Sequence, residues 1–576
     1  MIATIAPTQP KRLTLQVEFL GDQTTVIRSL DWDRDRFDIE FGLQNGTTYN
    51  SFLIRGDKTA LVDTSHAKFR ELYLPQIQEL IDLTKLDYLI ISHTEPDHSG
   101  LVRDILALAP QVTVVGSKVA LQFLDNFVHR PYERLQVKQG DKIDLGQGHI
   151  LEFISAPNLH WPDTILTWDH GSKILFTCDV FGMHYCRERL YDESLTEIEE
   201  DFRYYYDCLM GPNARSVLAA LKRLAPLGQP RLIATGHGPL LQHYIPDWLE
   251  RYQRWSQEQS QAGNTIAVFY VADYGYSDRI SQAIAHGATK AGATVEMMDM
   301  KSADFQEVRE LVERSQGLVV GMSPVSGEFA PHTRAVVSTI LGSVHAKQRV
   351  GLFESGAGED ESIHVLAAKF RDLGLEPGFP HLRWTGQPTP ATYQRAEEAG
   401  TDLGQWVNRD RTIQQMKSLD NDLDRALGRL SGGLYIITAK QGERSGAMLA
   451  SWVAQASFQP LGLTIAVAKD RAIEALMQVG DHFVLNVLEA GNYQHLMKHF
   501  LKRFAPGDDR FAGVKTQTAS NGSPILTEAL AYLECTVATR MECSDHWIVY
   551  ATVDTGRVAK PDGLTAVHHR KVGNHY

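Results

Sequence analysis

The sequence predicts a multidomain protein in which two α/β segments are followed by a β-rich segment. The length of 576 residues corresponds to about three or four domains. Short apolar runs alternate with loops and helical patterns up to about residue 407, and alternating strands dominate the remainder. Hydrophobic residues make up 43% of the chain and charged residues 22%, values typical of globular proteins that exclude wholesale disorder.

Charge and cysteine content exclude several classes of function. The formal net charge of −13 argues against a nucleic-acid partner bound through a basic surface. None of the five cysteines forms a C-x-x-C pair, which excludes a four-cysteine rubredoxin centre or a zinc ribbon. No secretory signal and no apolar run of about 18 residues is visible. We therefore expect a soluble, cytoplasmic protein.

The first predicted domain spans residues 30–255. Its apolar runs are short and bounded by turn residues, which favours strands over helices. The predicted strands are TALVDT (59–64), DYLIIS (87–92), VTVVGS (112–117), ILEFISA (150–156), KILFTCD (173–179) and RLIATG (231–236). The polar stretch WSQEQSQAG (255–263) predicts a linker. For the first 25 residues we predict only a flexible start.

The second and third predicted domains differ in their patterns. Residues 264–407 alternate strands with helices at the spacing of a doubly wound parallel sheet. Residues 408–430 carry apolar side chains at helical spacing and predict a connecting helix. From residue 431 to residue 576 the pattern is β-rich and predicts a barrel of antiparallel strands.

Four potential metal ligands lie within six residues directly after a predicted strand. The segment DYLIISHTEPDHSGL contains His93, Glu95, Asp97 and His98. Further candidates follow later strands: His160, Asp179 and His237. Because buried carboxylates are costly unless they are paired or bound to metal, this clustering predicts a metal site.

The types of ligand indicate the metal. Imidazoles mixed with carboxylates, without sulfur, suit non-haem iron or manganese better than a zinc-only site. A carboxylate has two oxygens, so Asp179 could bridge two ions. A zinc hydrolase with metal-bound hydroxide is the alternative from another class. Glu95 argues against it, because binuclear zinc hydrolases of the metallo-β-lactamase fold carry histidine there.

At these residues the chain resembles the flavodiiron proteins, in particular the cyanobacterial kind with a C-terminal flavin reductase domain. The family pattern is H-x-E-x-D-H followed by H, D and H at long spacings. The resemblance implies a metallo-β-lactamase-like αββα domain with two irons and six catalytic ligands. It assigns His93, Glu95 and His160 to one iron, Asp97 and His237 to the other, and Asp179 to the bridge. His98 is left open, as a ligand or as a neighbour of the metal.

The segment 264–407 resembles a flavodoxin domain that binds FMN at the carboxyl ends of its strands. Its loop after the first strand leads into a helix whose N-terminus suits a phosphate. The predicted flavin contacts are Tyr274, Gly275, Tyr276, Ser277, Ser323, Pro324, Ser355 and Gly356. The loop departs from the usual pattern, since Ala272 and Tyr274 replace hydroxyl residues and Asp273 adds negative charge.

The C-terminal segment resembles flavin reductases that bind FMN or FAD on a split barrel. The segment SGAMLASWVAQASFQP and the later SDHWIVYATV carry the likeness. Ser451 and Ser457 are the predicted flavin contacts on the first. On the second, His546 could position a nicotinamide or carry a proton near neutral pH.

The resemblance implies electron transfer from NAD(P)H through flavin to iron, with O2 reduced to water. Two ferrous ions and one reduced flavin supply the four electrons that O2 requires. Nitric oxide is an alternative acceptor and reduced ferredoxin an alternative donor. The family also implies a head-to-tail homodimer, or a heterodimer with a related subunit, and protection against excess electrons or oxygen in photosynthesis. An electron-transfer subunit of a hetero-oligomer is the remaining alternative.

Overall fold

The computed structural model describes residues 12–34, 36–37, 41–261, 263–271, 276–322, 329–355, 362–418 and 422–569. The chain divides into two compact units. One consists of Met1–Arg36 with Leu43–Ala262, and the other of Phe37–Gly42 with Gly263–Tyr576. No helix in the described ranges is long and apolar enough to cross a membrane.

The first unit is built from two sheets flanked by helices. The strands up to residue 262 are β1 (Leu13–Gly21), β2 (Thr24–Asp31), β3 (Arg36–Phe37), β4 (Phe41–Gly42), β5 (Thr47–Arg55), β6 (Thr59–Val62), β7 (Tyr88–Ile90), β8 (Thr113–Gly116), β9 (Glu133–Gln136), β10 (Lys142–Gly146), β11 (His149–Ser155), β12 (Ile165–Asp169), β13 (Ile174–Cys178) and β14 (Leu232–Thr235). The helices are α1 (Arg70–Leu80), α2 (Pro96–Ser99), α3 (Val102–Leu108), α4 (Lys118–Val128), α5 (Leu195–Tyr205), α6 (Ala214–Leu224) and α7 (Ile245–Ser260).

The two sheets pack face to face. Seven strands follow the order β1-β2-β5-β6-β7-β8-β9, and five follow the order β10-β11-β12-β13-β14. Their shared core includes Phe52 and Phe176, whose rings lie 5.1 Å apart edge to face. Helices α1, α3 and α4 cover the outer face of the larger sheet. The result is the four-layer αββα arrangement predicted from the sequence.

The second unit begins with a parallel sheet. Its strands are β15 (Thr265–Tyr270), β16 (Thr294–Asp299), β17 (Gly317–Met322), β18 (Arg349–Ser355), β19 (Glu376–Pro377) and β20 (Leu382–Trp384). Its helices are α8 (Ser277–Lys290), α9 (Phe305–Arg314), α10 (Phe329–Ser343), α11 (Ser362–Asp372) and α12 (Pro390–Ser418). The order β16-β15-β17-β18, with helices on both faces, confirms the doubly wound flavodoxin-like fold.

The C-terminal part of this unit is an antiparallel sheet. Its elements are α13 (Asp422–Leu427), β21 (Gly432–Gly433), β22 (Tyr435–Gln441), β23 (Arg444–Ala450), β24 (Val453–Phe458), β25 (Leu461–Ala468), β26 (His482–Val487), α14 (Gln494–Leu501), β27 (Thr516–Thr518), β28 (Pro524–Leu526), β29 (Ala531–Cys543), β30 (His546–Val558) and β31 (Val567–His568). Seven strands follow the order β23-β22-β26-β29-β30-β25-β24. In the described residues no pairing joins the end strands, so the sheet is a split barrel that does not close.

Three segments differ from the sequence predictions. Residues 13–31 form strands β1 and β2 of the larger sheet instead of a flexible start. The predicted linker at 255–263 is helical up to Ser260, because Trp255 and Ser256 are buried against the first unit. Of the predicted connecting helix, residues 408–418 continue α12 and Asp422–Leu427 form α13, and residues 419–421 lie outside the described residues.

Candidate di-metal centre and flavin sites

The candidate metal ligands lie at one edge of the two stacked sheets. His93 to His98 follow β7 and enter the short helix α2. His160 lies beyond β11, Asp179 directly follows β13, and His237 comes two residues after β14. β6 pairs in parallel with β7, and β13 with β14, so the carboxyl ends of each pair lie side by side at one edge of their own sheet. The apolar strands therefore position the polar candidate ligands close to one another.

One group of ligands surrounds Glu95. Its Oε2 atom lies 3.1 Å from His93 Nε2 and 3.0 Å from His160 Nε2. Together with Asp179 these side chains offer four ligand atoms that lie within 4.8 Å of one another. His93 and His160 are almost completely buried, so the group is a small polar site enclosed by protein.

A second group contains Asp97, His98 and His237, whose ligand atoms also lie within 4.8 Å of one another. Asp97 Oδ2 lies 3.4 Å from His237 Nε2, and Asp97 Oδ1 lies 3.6 Å from His98 Nε2. The sequence left the role of His98 open. The structure places its Nε2 atom inside this group, among the atoms that could bind a metal ion.

Asp179 lies between the two groups. Its Oδ2 atom is 3.5 Å from both His93 Nε2 and His160 Nε2. Its Oδ1 atom is 3.0 Å from His98 Nε2 and 3.2 Å from His237 Nε2. One carboxylate oxygen therefore faces each pair of imidazoles, as expected of a side chain that bridges two metal ions.

The donor set fits two cations. Asp179 Oδ2 and Asp97 Oδ1 are buried and have no hydrogen-bond partner among the described residues. A buried carboxylate oxygen without a partner is costly, and a bound cation removes that cost. Four imidazoles and three carboxylates, with no sulfur, are the ligands of non-haem iron or manganese. His93, Glu95 and His160 would hold one ion, Asp97, His98 and His237 the other, and Asp179 both.

The carboxylates shift the pKa values of this cluster strongly. Burial alone would lower the pKa of His237, but Asp179 and Asp97 raise it to about 10. Burial and the charge of Asp97 would raise the pKa of Glu95, but His160 and His93 lower it to about 2. The cluster thus gathers opposite charges away from water, and a metal ion would replace the protons because ligands bind in deprotonated form.

Residues that the sequence analysis missed orient the imidazoles. His93 Nδ1 lies 3.0 Å from Asp163 Oδ1, and the Thr94 backbone N–H donates to Asp163 Oδ2 at 2.8 Å. His237 Nδ1 lies 2.6 Å from the backbone oxygen of Thr48. These contacts keep the proton on Nδ1 and leave Nε2 available for a metal. Asp163 follows His160 by three residues, but no motif marks it.

Tyr205 is a further residue that the sequence analysis missed. Its hydroxyl donates a hydrogen bond to Asp179 Oδ1 at 2.9 Å. Burial, followed by the charge of Asp179, holds the pKa of this phenol well above its usual value, so it keeps its proton. A π-helical turn, Tyr206–Met210, begins directly after Tyr205, and such turns are frequent at functional sites.

Only part of the predicted FMN site is described. Tyr276 and Ser277 lie at the start of α8, where Ser277 is buried, and Ser355 ends β18. Strands β15, β17 and β18 are parallel neighbours, so their carboxyl ends lie side by side. A ligand is expected at such an edge. The predicted contacts Tyr274, Gly275, Ser323, Pro324 and Gly356 lie outside the described residues.

The predicted contacts in the C-terminal part separate into two places. Ser451 is buried, and its hydroxyl has no hydrogen-bond partner in the described part of the chain, which fits a ligand contact. The rings of the adjacent Trp452 and of His546 lie 5.2 Å apart. Ser457 lies on β24, six residues after Ser451, which corresponds to roughly 20 Å of extended chain. There its hydroxyl contacts the Tyr550 hydroxyl at 2.8 Å, so the structure does not bring it together with His546.

The comparisons with known proteins agree with this architecture. Residues 47–238 match the ODP family beta lactamase, and residues 427–574 match the flavin reductase like domain. The chain is 65% identical to "Putative diflavin flavoprotein A 3" of Nostoc sp. over 577 residues, and 65% identical to "Diflavin flavoprotein A 1" of Synechocystis sp. over 576 residues. Both alignments cover 100% of each chain.

A solved structure agrees with this result. The metal-soaked Flv1 flavodiiron core from Synechocystis sp. is 36% identical, with a TM-score of 0.63, and the match covers 69% of this chain and 99% of that one. Fold, donor set and relatives together define an oxidoreductase that carries flavin and a di-iron site. The chain belongs to the diflavin flavoprotein A family, the cyanobacterial flavodiiron proteins with a C-terminal flavin reductase domain.

Proposed function

We propose that this protein passes electrons from NAD(P)H through flavin to a di-iron centre at which O2 is reduced to water. The observation that carries the proposal is the position of Asp179, whose two oxygens each face a different pair of imidazoles. When bound, two irons and a reduced flavin supply the four electrons of the reaction. Four protons from solvent complete the two water molecules.

The side chains of the site would bind the metal ions, orient the ligands and limit access to the centre. Asp163 and the Thr48 carbonyl fix two imidazoles in the orientation that a metal requires. The side chains of Glu95 and Asp97 are 13% and 20% exposed, whereas the imidazoles are at most 3% exposed. A small molecule would therefore approach from the carboxylate side. Tyr205 holds a proton at Asp179 Oδ1 and restricts that carboxylate.

The finer features of the proposal follow from the family and from the order of the domains. FMN would bind the flavodoxin-like part, FMN or FAD the C-terminal part, and NAD(P)H would be oxidised near His546. A head-to-tail dimer, or a dimer with a related subunit, would bring the FMN of one chain to the iron site of its neighbour. A cytoplasmic location agrees with the low cysteine content of five residues. Reduced ferredoxin and nitric oxide are the alternative donor and acceptor.

The proposal is tested on the purified full-length protein by measuring metal and flavin content together with O2 uptake. We expect about two irons per chain, and O2 consumption that depends on NADH or NADPH. His93→Ala should lower the iron content and the uptake together, because it removes an imidazole from one ligand group. His170→Ala is the control, since His170 is a surface residue that pairs with Glu152.

Other outcomes would identify the alternatives. Zinc in place of iron, with ester or phosphodiester cleavage and no NAD(P)H oxidation, would indicate a hydrolase. Iron without O2 uptake, restored by adding a related subunit, would indicate an electron-transfer partner. Faster NO consumption than O2 uptake, or activity with reduced ferredoxin alone, would revise the acceptor or the donor. An unchanged iron content and O2 uptake in His93→Ala would contradict the assignment of the metal site.

A further inference from the structure

The polar face of helix α12 contacts the C-terminal sheet domain within the second unit. Gln394, Glu398, Asp402 and Gln405 are spaced by four, four and three residues, so they lie on one side of the helix. Each of them pairs with a residue beyond position 440. A polar helix face that is matched group by group is the pattern of a specific interface.

At the centre of this interface lies a buried cluster of four charges. Lys290 at the end of α8 contacts Glu397 Oε1 at 2.5 Å and Glu474 Oε2 at 2.6 Å. Glu474 also binds Arg540 through its other oxygen. All four side chains are at most 10% exposed. Lys290 and Glu397 belong to the flavodoxin-like part, and Glu474 and Arg540 to the C-terminal part.

The cluster is electrically balanced, with two cations and two carboxylates. The pKa of Glu474 is held far below its usual range, because Lys290 and Arg540 outweigh the effect of burial. The pKa of Lys290 is raised for the corresponding reason, with Glu397 and Glu474 outweighing burial. Lys290 and Glu474 therefore stay charged near neutral pH. Removing one partner would leave an uncompensated charge out of contact with water.

A second set of contacts surrounds Glu398. Its Oε1 atom binds Arg510 at 3.0 Å, and its Oε2 atom accepts the backbone N–H of Gly507 at 3.0 Å. Gln394, one turn earlier, donates to the backbone oxygen of Ser445 at 2.8 Å. Gln394, Glu398 and Arg510 are all less than 10% exposed. This set uses different residues from the charge cluster, so the two can be tested independently.

We propose that this face of α12 is a docking surface that holds the C-terminal domain firmly without needing the covalent connection between them. The domain would then be a fixed part of one rigid body with the flavodoxin-like fold, and not an arm that swings on its connection. The inference concerns only the association of the flavodoxin-like domain with the C-terminal domain. Its test is therefore independent of the proposed redox reaction. If that reaction is correct, electrons enter through a domain of fixed orientation.

The test uses the full chain with a recognition site for a specific protease inserted between Ser418 and Asp422. After cleavage, we expect the two fragments to elute together from a size-exclusion column at about 1 µM, the concentration of a moderately tight complex. They should also stay together at about 1 M salt, where the Debye length is about 3 Å, because buried pairs are screened little.

Glu474→Gln should weaken the association about 100-fold or more, because it breaks a buried ion pair on both sides. Glu398→Gln should have a similar effect through the second set of contacts. Glu313→Gln is the matched control, since Glu313 is exposed on α9. Circular dichroism of the uncut variants checks that they fold. If one of the two variants does not fold, the association measured with the other variant tests the inference.

Two results would overturn the inference. One is separation of the cleaved wild-type fragments at about 1 µM, because the connection alone would then hold the domain in place. The other is an unchanged dissociation constant, measured by diluting the cleaved Glu474→Gln and Glu398→Gln proteins below about 1 µM, because the contacts would then contribute nothing. Iron content and O2 uptake of the uncut variants are recorded separately and test only the proposed function.

Discussion

The two oxygens of Asp179 have separate partners, and an amide at this position would separate their roles. Asp179→Asn keeps the shape of the side chain but removes its charge and one acceptor atom. We expect iron to fall from about two to about one per chain, and the loss of activity to exceed any loss of stability. Electron paramagnetic resonance of the half-reduced protein should lose the signal of a coupled pair.

The alternative for Asp179 is a purely structural role, in which its side chain caps the loop after β13. Losing a cap costs about 1 kcal/mol and would leave the metals untouched. A coupled mixed-valence signal that persists unchanged in Asp179→Asn would rule out the bridge. Asp207→Asn serves as the control, because Asp207 pairs with Arg203 on the surface.

Asp163 would act on a bound metal through His93, whose Nδ1 atom it contacts. Asp163→Asn should keep one contact to Thr94 but weaken the acceptor for His93 Nδ1. Loss of such an outer partner typically lowers metal affinity about 10- to 100-fold. Competition with a chelator measures the affinity directly, with Asp125→Asn on the surface as control. An unchanged chelator midpoint would show that the imidazole does not need this carboxylate.

The convergence of the candidate ligands could be predicted from the sequence because they follow apolar strands, whose ends lie close together in any sheet of this kind. Asp163 and Tyr205 could not be predicted, since neither has a motif. Tyr205 lies on α5 and meets Asp179 only through tertiary packing. His98 could be suggested but not assigned, because its role depends on the direction of its ring, which spacing does not specify.

At the scale of elements, the ends of β13 and β14 approach closely beside His98. The Gly236 N–H donates to the Cys178 oxygen at 2.6 Å. A methyl group on Gly236 would lie 2.8 Å from His98 Cε1 and 3.0 Å from the Cys178 carbonyl. Gly236→Ala should therefore displace His98 and lower occupancy of the second metal.

Iron content and the spectrum of the coupled pair measure the effect of Gly236→Ala. Gly342→Ala is the matched control, because an added methyl group meets nothing within 4 Å there and the residue lies in α10. That control should be neutral, or more stable by about 0.5–1 kcal/mol. Two fully bound irons in Gly236→Ala would contradict the close approach.

Helix α5 carries an acid whose titration should appear in the stability of the protein. Burial, opposed in part by the hydrogen bond from Asn45, raises the pKa of Asp201 from 3.8 to about 7. The folded protein therefore binds this proton more tightly than the unfolded chain does. Asp201 destabilises the fold as the pH rises from about 4 to about 7.

Asp201→Asn removes this effect and keeps an acceptor for Asn45. We expect the free energy of unfolding to be close to that of the wild type at about pH 4. At about pH 8 it should be higher by about 1–3 kcal/mol. Thermal unfolding across this range measures the difference, with the surface substitution Glu313→Gln as control. A gain that is independent of pH would contradict the raised pKa.

The predicted elements were correct where strands are continuous apolar runs, as in β6, β8 and β13. Such runs are typical of strands that are buried on both faces. Strands β1 and β2 were missed because β2 is buried along its whole length yet contains Arg28, Ser29 and Asp31. Arg28 is accommodated by the side chain of Gln16, a contact that only the folded sheet provides.

At the scale of the whole molecule, the sequence indicated three folds in order but not how the last two join. The polar residues of α12 look like an ordinary solvated helix face in the sequence. Their partners lie far along the chain, at positions such as Ser445 and Arg510, so no local pattern predicts the interface. Charge pairing over such distances becomes visible only in the structure.

Ser451 gives a substitution that separates flavin binding in the C-terminal domain from iron binding in the first unit. Its buried hydroxyl has no hydrogen-bond partner among the described residues, so Ser451→Ala should cost little stability. We expect weaker flavin binding in the C-terminal domain and slower NAD(P)H oxidation, with unchanged iron. An unchanged flavin content and an unchanged rate of NAD(P)H oxidation would show that Ser451 is not part of the flavin site.

Removal of the C-terminal domain tests the direction of electron flow. The chain has no four-cysteine iron centre that could accept electrons elsewhere, and residues 427–574 match a flavin reductase like domain. Truncation after Asp420 should therefore abolish NAD(P)H oxidation. It should leave iron binding intact, because every candidate ligand lies before residue 240. The exposed face of α12 would lose its partners, so some loss of stability is expected as well.

The truncated protein is compared with the full chain in two assays. NAD(P)H oxidation is measured first, and O2 uptake is then measured with an artificial donor that reduces the remaining flavin. Loss of the first activity with retention of the second places electron entry in the C-terminal domain. Oxidation of NAD(P)H by the truncated chain at the full rate would place it elsewhere. Loss of both, with iron still bound, would show that the flavodoxin-like domain needs its docked neighbour to work.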